Sequence, residues 1–279
     1  MAGWLALMLV VPVAGREALR DLNVFQVTEI RSVLGLCMLY PLVRMNGGFA
    51  AMRTARPLQH LGRNLIHYAA QLCWFFALTL IPLGQVVAIE FTMPIWTAIL
   101  AASFLGERMT VWKIAAIALG VIGVTVIVRP ETGDVNPGQL IALAAAVGFG
   151  ISVAMMKSLT RTEKTVSIIF WMLVIQSAAG FFPALYVWRW PSAAALGWIA
   201  VIAFCGMFSH YCMARAMLHA DATVVLPMDF LRVPLTAALG WLIYAERLDL
   251  FTGLGAAMIL TGNLLNLRAA DPVGVRSAT

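Results

Sequence analysis

The sequence predicts an all-α integral membrane protein with ten transmembrane helices in two inverted five-helix repeats. Hydrophobic residues fill 62% of its 279 positions and charged residues only 11%, whereas a soluble domain carries about 25% charge. Apolar segments of roughly 20 residues, the length that crosses the hydrocarbon layer, recur along the chain. Two parts of the chain also repeat the same order of residues. Together these observations exclude a soluble globular protein.

Turn residues and charges divide the chain into ten predicted helices. Residues 165–188 and 190–214 contain no Asp, Glu, Lys or Arg, and an apolar run of this length is typical of a membrane span. The connectors are short and carry Pro and Gly, so none can hold a soluble domain. The predicted helices are residues 2–19, 22–43, 61–80, 84–105, 109–128, 137–156, 165–188, 192–217, 222–244 and 250–268.

The first apolar segment is short and has the length of a signal-peptide core. No basic residue precedes it and no small-residue cleavage motif follows it. We therefore expect it to remain in the protein as a helix.

Basic residues predict the orientation, because short cytoplasmic loops retain Arg and Lys. With the N-terminus inside, the inner loops and tail hold Arg44, Arg53, Arg56, Arg63, Arg108, Lys113, Lys157, Arg161, Lys164, Arg215, Arg268 and Arg276. The outer loops hold the smaller set Arg16, Arg20, Arg129, Arg189 and Arg247. We expect a multi-pass protein of the inner (plasma) membrane with both termini in the cytoplasm. The net charge of +6 then reflects topology and predicts no nucleic-acid partner, since the basic residues form no single stripe.

The repeat is visible in the residues around one acidic position of each half. Residues 73–91 align with residues 212–230 in a constant register, which places Glu90 opposite Asp229. Five helices per half is an odd number, so the second half must enter the membrane from the opposite side. Many secondary transporters are built in this way and bind substrate near the midplane between the halves.

The predicted division of the chain follows from the repeat. Residues 1–135 form the first repeat, residues 136–270 the second, and residues 271–279 a cytoplasmic tail.

A proline followed by an apolar stretch and a Gly-Glu pair occurs from Pro94 to Glu107 and, more loosely, from Pro234 to Glu246. This pattern resembles the EamA branch of the drug/metabolite transporter superfamily, and residues 228–234 are its most distinctive segment. The resemblance implies ten helices in two inverted halves. It also implies that helices 1 to 4 and 6 to 9 line a central cavity, with helices 5 and 10 outside it.

Ionisable residues inside the predicted spans are the first candidates for a site. A charge at mid-depth costs about 3 kcal/mol or more, so it persists where it is paired or functional. The candidates are Arg31, Glu90, Asp229 and Arg232. We expect them to line a substrate path; the alternative is that they only cross-link helices. The acids can bind a cationic group or a proton and the arginines a carboxylate, and the sequence leaves these choices open.

Polar and aromatic residues complete the predicted path. Gln71 and His210 occupy equivalent places in the third and eighth predicted helices. Four aromatic residues are further candidates, because aromatic faces attract cations and can cover organic substrates. They are Tyr68, Trp74, Trp171 and Tyr211. The alternative is that they serve in packing or lipid contact. Pro94 and Pro234 each remove one helical hydrogen bond and predict bends beside the charged residues.

Glycines in the fifth and tenth predicted helices favour close helix packing, and a homodimer contact is a second interpretation. They are Gly120, Gly123, Gly253, Gly255 and Gly262. The four cysteines lie inside predicted helices without metal-ligand spacing, so we expect them to be packing residues.

These features favour a secondary transporter that moves a small organic metabolite, such as an amino acid or amine, by alternating access. The expected partners are the substrate, the lipid bilayer, and a coupled proton or exchange substrate. A channel-like or sensory membrane protein is the main alternative. An intramembrane enzyme is a weaker one, because the sequence has no H-E-x-x-H motif or nucleophile-base set. The sequence also has no phosphate-binding loop, and we expect neither a metal nor a cofactor.

Overall fold

The computed structural model describes residues 2–97, 99, 111–128, 136–160, 162–219, 232–246 and 249–269. The predicted site residue Asp229, Glu107 and the tail 271–279 lie outside these residues, so the predictions made for them stay predictions.

The described residues form helices and no strand, which confirms the all-α prediction. The helices are α1 Ala2–Asp21, α2 Val24–Met45, α3 Pro57–Leu80, α4 Leu83–Glu90, α5 Val111–Val128, α6 Pro137–Leu159, α7 Thr165–Tyr186, α8 Ala193–His219, α9 Arg232–Tyr244 and α10 Leu250–Ala269. A 3-10 turn at Phe49–Met52 lies between α2 and α3. The bounds follow the predicted spans closely, except that only parts of the fourth and ninth spans are described.

Three helices of the described chain are long and apolar enough to cross a membrane, and they lie at Pro137–Met156, Thr165–Tyr186 and Ala193–Cys212. The helices α1, α2 and α3 are as long but contain charged and other polar residues. In α2 and α3 most of these polar residues are buried inside the bundle. Their polar faces therefore turn away from the surroundings and toward the other helices.

Helix α4 is interrupted beside its acidic residue. It ends at Glu90, Phe91 and Thr92 form a turn, and helix resumes over residues 93–97. Pro94 explains the break, because its ring excludes the carbonyl four residues earlier, which belongs to Glu90, and it has no N–H to donate. Pro234 lies in the first described turn of α9, and the bend predicted there involves residues outside the described part.

The helices pair across the two halves of the chain. The most extensive contacts join α5 to α10, α3 to α6, α1 to α8 and α2 to α7, and α4 packs against α9. Replacing every helix by its counterpart in the other half leaves this set of pairs unchanged. The packing is therefore symmetric with respect to the two halves of the sequence.

An ion pair fastens one end of the bundle. Arg16 of α1 pairs with the carboxylate of Glu246, which follows α9. Arg16 Nε donates to the Leu78 carbonyl at 2.7 Å, and the second Glu246 oxygen accepts from the Leu83 N–H at 2.9 Å. The Arg16–Glu246 latch thus joins α1, the α3–α4 turn and the α9–α10 turn.

The backbone around Glu246 directs its side chain into this latch. Ala245 has φ +54°, a left-handed conformation that reverses the chain after α9. The Glu246 N–H then donates to the Gly240 carbonyl at 3.1 Å. Gly240 has no side chain, and a Cβ there would collide with the Glu246 carboxylate.

Glycines bring α5 and α10 into backbone contact. A Cβ at Gly123 would lie 2.7 Å from the Gly255 carbonyl oxygen, and a Cβ at Gly262 would lie 2.8 Å from that of Ala116. Gly253, by contrast, has nothing within 4 Å of its Cβ position. The close packing expected of helices 5 and 10 is therefore contact with each other.

We expect Gly123→Leu to destabilise the protein, because overpacking a tight contact typically costs about 1–3 kcal/mol. Gly253→Leu is the matched control, since it brings the same gain in helix propensity at an exposed position. The measurement is thermal unfolding in detergent by intrinsic fluorescence. Equal unfolding temperatures for the two variants would contradict the glycine contact.

Two arginines of α1 provide a test of the latch. The Arg16 and Glu246 side chains are only 15% and 16% exposed. We therefore expect Arg16→Gln to lower the free energy of unfolding by about 1–3 kcal/mol, because the Glu246 carboxylate loses its hydrogen-bond partner. Arg20 pairs with Glu17 but is 62% exposed, and Arg20→Gln should cost less than about 1 kcal/mol. Thermal unfolding in detergent measures both, and a larger loss for Arg20→Gln would show that the latch is not a main stabilising contact.

Candidate functional site

A stripe of polar and aromatic residues runs along the inward face of α3. His60, Arg63, His67, Gln71 and Trp74 are three or four positions apart, which places them on one side of the helix. None of them is more than 8% exposed. Because this stripe extends over most of α3, it forms a buried polar path along the bundle.

Arg31 of α2 joins this path at its centre. Its Nη2 donates to Oε1 of Gln71 at 2.7 Å and to Oε1 of Gln176, in α7, at 2.8 Å. Its Nε has no hydrogen-bond partner, and no carboxylate of a described residue lies within ion-pair distance of Arg31. Arg31 is 5% exposed. The guanidinium is therefore held by neutral amides and keeps its charge uncompensated within the described part.

Glu29, two residues before Arg31, is a buried acid on the same helix. One carboxylate oxygen accepts from the Ser177 hydroxyl of α7 at 2.6 Å, and the other has no partner among the described residues. The Tyr68 hydroxyl of α3 adjoins the Thr28 side chain of α2. A Cβ at Gly180 would lie 2.6 Å from Glu29 Oε2 and 2.8 Å from Tyr68 Oη, so glycine is required where these groups approach α7.

Two histidines continue the path between the halves. The rings of His67 and His210 meet edge to face, with centroids 5.7 Å apart. His67 Nδ1 lies 3.2 Å from the Ser152 hydroxyl of α6. This contact set connects α3, α6 and α8.

Arg63 lies one turn before His67, toward the end of the bundle opposite the latch. Its Nη1 donates to Asn64 Oδ1 at 2.6 Å, and it is 1% exposed. The sequence predicts an inner-loop position for Arg63, but Arg63 lies inside α3 and is fully buried. Met156 Sδ, 3.7 Å away, is a further contact.

A second charged cluster surrounds the break after α4. Glu90 accepts from Arg232 Nη2 at 2.7 Å and from Trp74 Nε1 at 2.8 Å. The Arg232 guanidinium also lies 5.0 Å from the centre of the Phe91 ring. The Arg232 and Glu90 side chains are 7% and 14% exposed. This pair joins the two halves.

Two predicted aromatic residues make other contacts. Trp171 Nε1 donates to the Met52 carbonyl at 2.8 Å and so fastens the 3-10 turn to α7. Tyr211 stacks on Phe208, with ring centroids 6.2 Å apart, in a row along α8 that includes the exposed Phe204. Both residues therefore make packing contacts, and His60 lies beside Trp171. Their place in the substrate path stays a prediction.

Four residues of the polar path were not predicted from the sequence, and they are Glu29, Arg63, His67 and Gln176. The spacing within α3 contains the signal for two of them, because Arg63 and His67 fall on the same face as Gln71. Glu29 enters the membrane span as deeply as Arg31 and differs from it by two positions. Gln176 carries no charge, and the only signal for it in the sequence is its position near the middle of a mostly apolar helix.

A cavity of about 540 Å³ opens beside the latch and is lined by Arg16, Tyr244 and Glu246, among others. None of the predicted path residues lines it. The site proposed below is therefore the buried polar path and not this cavity.

Known proteins share this organisation. The profile of the EamA-like transporter family matches residues 5–129 and again residues 136–268. The S-adenosylmethionine uptake transporter of Rickettsia prowazekii is 28% identical over 243 residues, which cover 87% of this chain and 82% of the relative. The riboflavin transporter of Rhizobium johnstonii is 32% identical over 229 residues, covering 79% and 74%.

An exporter and a solved structure extend these similarities. The pseudopaline exporter of Pseudomonas aeruginosa is 26% identical over 252 residues, covering 88% of this chain and 86% of the relative. One crystal structure superposes with a TM-score of 0.67 at 20% identity over 97% of both chains, which shows the same fold. With profile matches over most of its length and transporters among its relatives, the chain is a multi-pass membrane protein of the EamA family in the drug/metabolite transporter superfamily.

Proposed function

We propose that this protein is a secondary transporter that moves a small organic metabolite across the inner (plasma) membrane by alternating access, driven by a gradient or by exchange. The observation that carries this proposal is the buried polar path around Arg31. It draws side chains from α2 and α3 of the first half and from α6, α7 and α8 of the second. Polar residues buried at membrane depth are expensive and mark substrate paths, and transporters with inverted repeats bind substrate where the halves meet.

The symmetric packing supports an inverted repeat. Each half supplies five helices, and the pairs of contacting helices stay the same when the halves are exchanged. Because five is odd, two copies that cross the membrane fully have opposite orientations. Such halves can exchange conformations, so that inward-open and outward-open states have similar energies and substrate can shift their balance.

Cross-links between the halves occur at both ends of the bundle. The Arg16–Glu246 latch closes the end that the basic residues predict to be outside. At the other end the Thr54 hydroxyl donates to Glu163 at 2.6 Å, and Arg56 contacts Ser158. Breaking one set while keeping the other would open the path to one side at a time.

The relatives agree with an organic substrate. Their names specify S-adenosylmethionine, riboflavin and pseudopaline, and both uptake and export occur among them. Trp74 and Tyr68 beside the path provide aromatic surface of the kind that such molecules contact.

Counterflow in proteoliposomes tests the proposal. Proteoliposomes that contain the purified protein are loaded with one unlabelled compound, and the same compound in labelled form is added outside. The compounds are S-adenosylmethionine, riboflavin, amino acids and amines. We expect saturable counterflow of at least one compound. Conductance without saturation would indicate a channel, and no counterflow in the whole panel would contradict a carrier.

Glu90→Gln is expected to reduce counterflow at least about tenfold, since it removes one partner of the buried Glu90–Arg232 ion pair, and such a loss typically costs about 3–5 kcal/mol. Asp229→Asn tests the predicted counterpart of Glu90 in the other half. Arg53→Gln is the control, because Arg53 is exposed. Size-exclusion profiles establish that each variant is folded, and full activity of folded Glu90→Gln would remove Glu90 from the transport mechanism.

A further inference from the structure

We propose that five residues at the centre of the polar path form a binding chamber for the zwitterionic head group of an α-amino acid or a metabolite that contains one. In this chamber Arg31, Gln71 and Gln176 would bind the carboxylate, and Glu29 with Tyr68 would bind the ammonium group. This inference rests on the proposed transport function and names the class of its substrate.

The carboxylate side is defined by buried donors without acceptors. Gln71 and Gln176 both offer their Oε1 atoms to Arg31, so their Nε2 groups remain available as donors. Nε of Arg31 and Nε2 of Gln176 have no partner among the described residues. Arginine and amide N–H groups that converge in this way are ligands for a carboxylate.

Gly206 of α8 lies against the guanidinium of Arg31. A Cβ at Gly206 would lie 3.5 Å from Arg31 Nη1, so a longer side chain there would crowd the guanidinium. The charge of Arg31 thus faces backbone and amides, and an anion that enters can provide the missing counter-charge.

The ammonium side is defined by two acceptor oxygens. Glu29 Oε2 is buried and has no partner among the described residues, and the Tyr68 hydroxyl, which adjoins the Thr28 side chain, lies beside the same glycine, Gly180. A carboxylate and a hydroxyl oxygen together suit a primary ammonium group, which carries three donors.

One stretch of α7 adjoins both sides. Gln176 accepts from Arg31, Ser177 donates to Glu29 at 2.6 Å, and Gly180 adjoins Glu29 and Tyr68. Arg31 and Glu29 form no ion pair with each other. Two opposite buried charges that are not paired with each other match a ligand with the same two charges in reverse.

The central depth of the chamber distinguishes it from Arg63, which also lacks a carboxylate partner in the described part. Gln176 lies near the middle of α7, which spans Thr165–Tyr186. Arg63 lies near the start of α3 and contacts Met156 close to the end of α6. The midplane position expected for a transporter site therefore belongs to Arg31.

Matched ligands test each side of the chamber separately. The probes are L-phenylalanine, phenethylamine, which lacks the carboxylate, and 3-phenylpropanoate, which lacks the ammonium group; S-adenosylmethionine and its decarboxylated form are a second pair. Binding is measured as thermal stabilisation of the purified protein, and transport as competition in counterflow. We expect an amino acid to bind at least about tenfold more tightly than either truncated analogue, as hydrogen bonds to charged groups imply.

The variants should lose one preference each. Arg31→Gln is expected to bind the amino acid and the amine equally while still rejecting 3-phenylpropanoate, and Glu29→Gln should show the reverse. Arg53→Gln is the control and should keep both preferences. A merely structural role would weaken all ligands together, and that result would overturn the proposal.

Gln176→Glu is a second test of the carboxylate site, which remains available if Arg31→Gln does not fold. The new carboxylate would give Arg31 an internal counter-ion, so we expect a higher unfolding temperature together with at least a tenfold loss of amino-acid binding. Unchanged binding would overturn the carboxylate site. Counterflow of riboflavin or amines without any effect of α-amino acids would preserve the transport function and overturn this inference, whereas no counterflow at all would contradict the transport function itself.

Discussion

The structure depends on how its buried charges are neutralised inside a bundle of apolar helices. A charged side chain at membrane depth is stable only with a partner or access to water, and the described arginines meet this condition in different ways. Arg232 pairs with Glu90 and Arg16 with Glu246, and each pair ties helices of one half to the other. Within the described residues, the hydrogen-bond partners of Arg31 are two amide oxygens. The ion pairs hold the two halves together, whereas the guanidinium of Arg31 lies between the halves without a carboxylate partner among the described residues.

The contacts differ in how readily they can rearrange. Gly123 and Gly255 place the backbones of α5 and α10 against each other, and a contact without side chains has no alternative rotamers. The latch and the Glu163 hydrogen bond consist of single polar side chains at the ends of the bundle. Conformational change in proteins commonly replaces one discrete set of such contacts with another. If the protein works by the proposed alternating access, the polar ends are where we expect the bundle to open while α5 and α10 stay packed.

Length and composition were enough to predict the helices, because crossing a membrane imposes a minimum apolar length that loops cannot meet. The partners of the polar residues were harder to predict. Arg232 contacts Glu90 of the other half, 142 positions away in the sequence. That contact depends on how α9 is rotated against α4, which no local spacing specifies. Glu29 and Gln176 are candidates because α2 packs against α7 in the folded protein, and this packing brings each of them to a polar partner on the other helix.

The amide partners of Arg31 explain how a buried charge can remain useful. A carboxylate beside it would neutralise it permanently, and an arriving anion would then have to displace a strong internal bond. Gln71 and Gln176 orient the guanidinium with two hydrogen bonds of 2.7 and 2.8 Å and leave its charge in place. The interaction with an anion is correspondingly strong in this low-dielectric setting. It stays reversible, because the amides continue to hold the arginine after the anion has left.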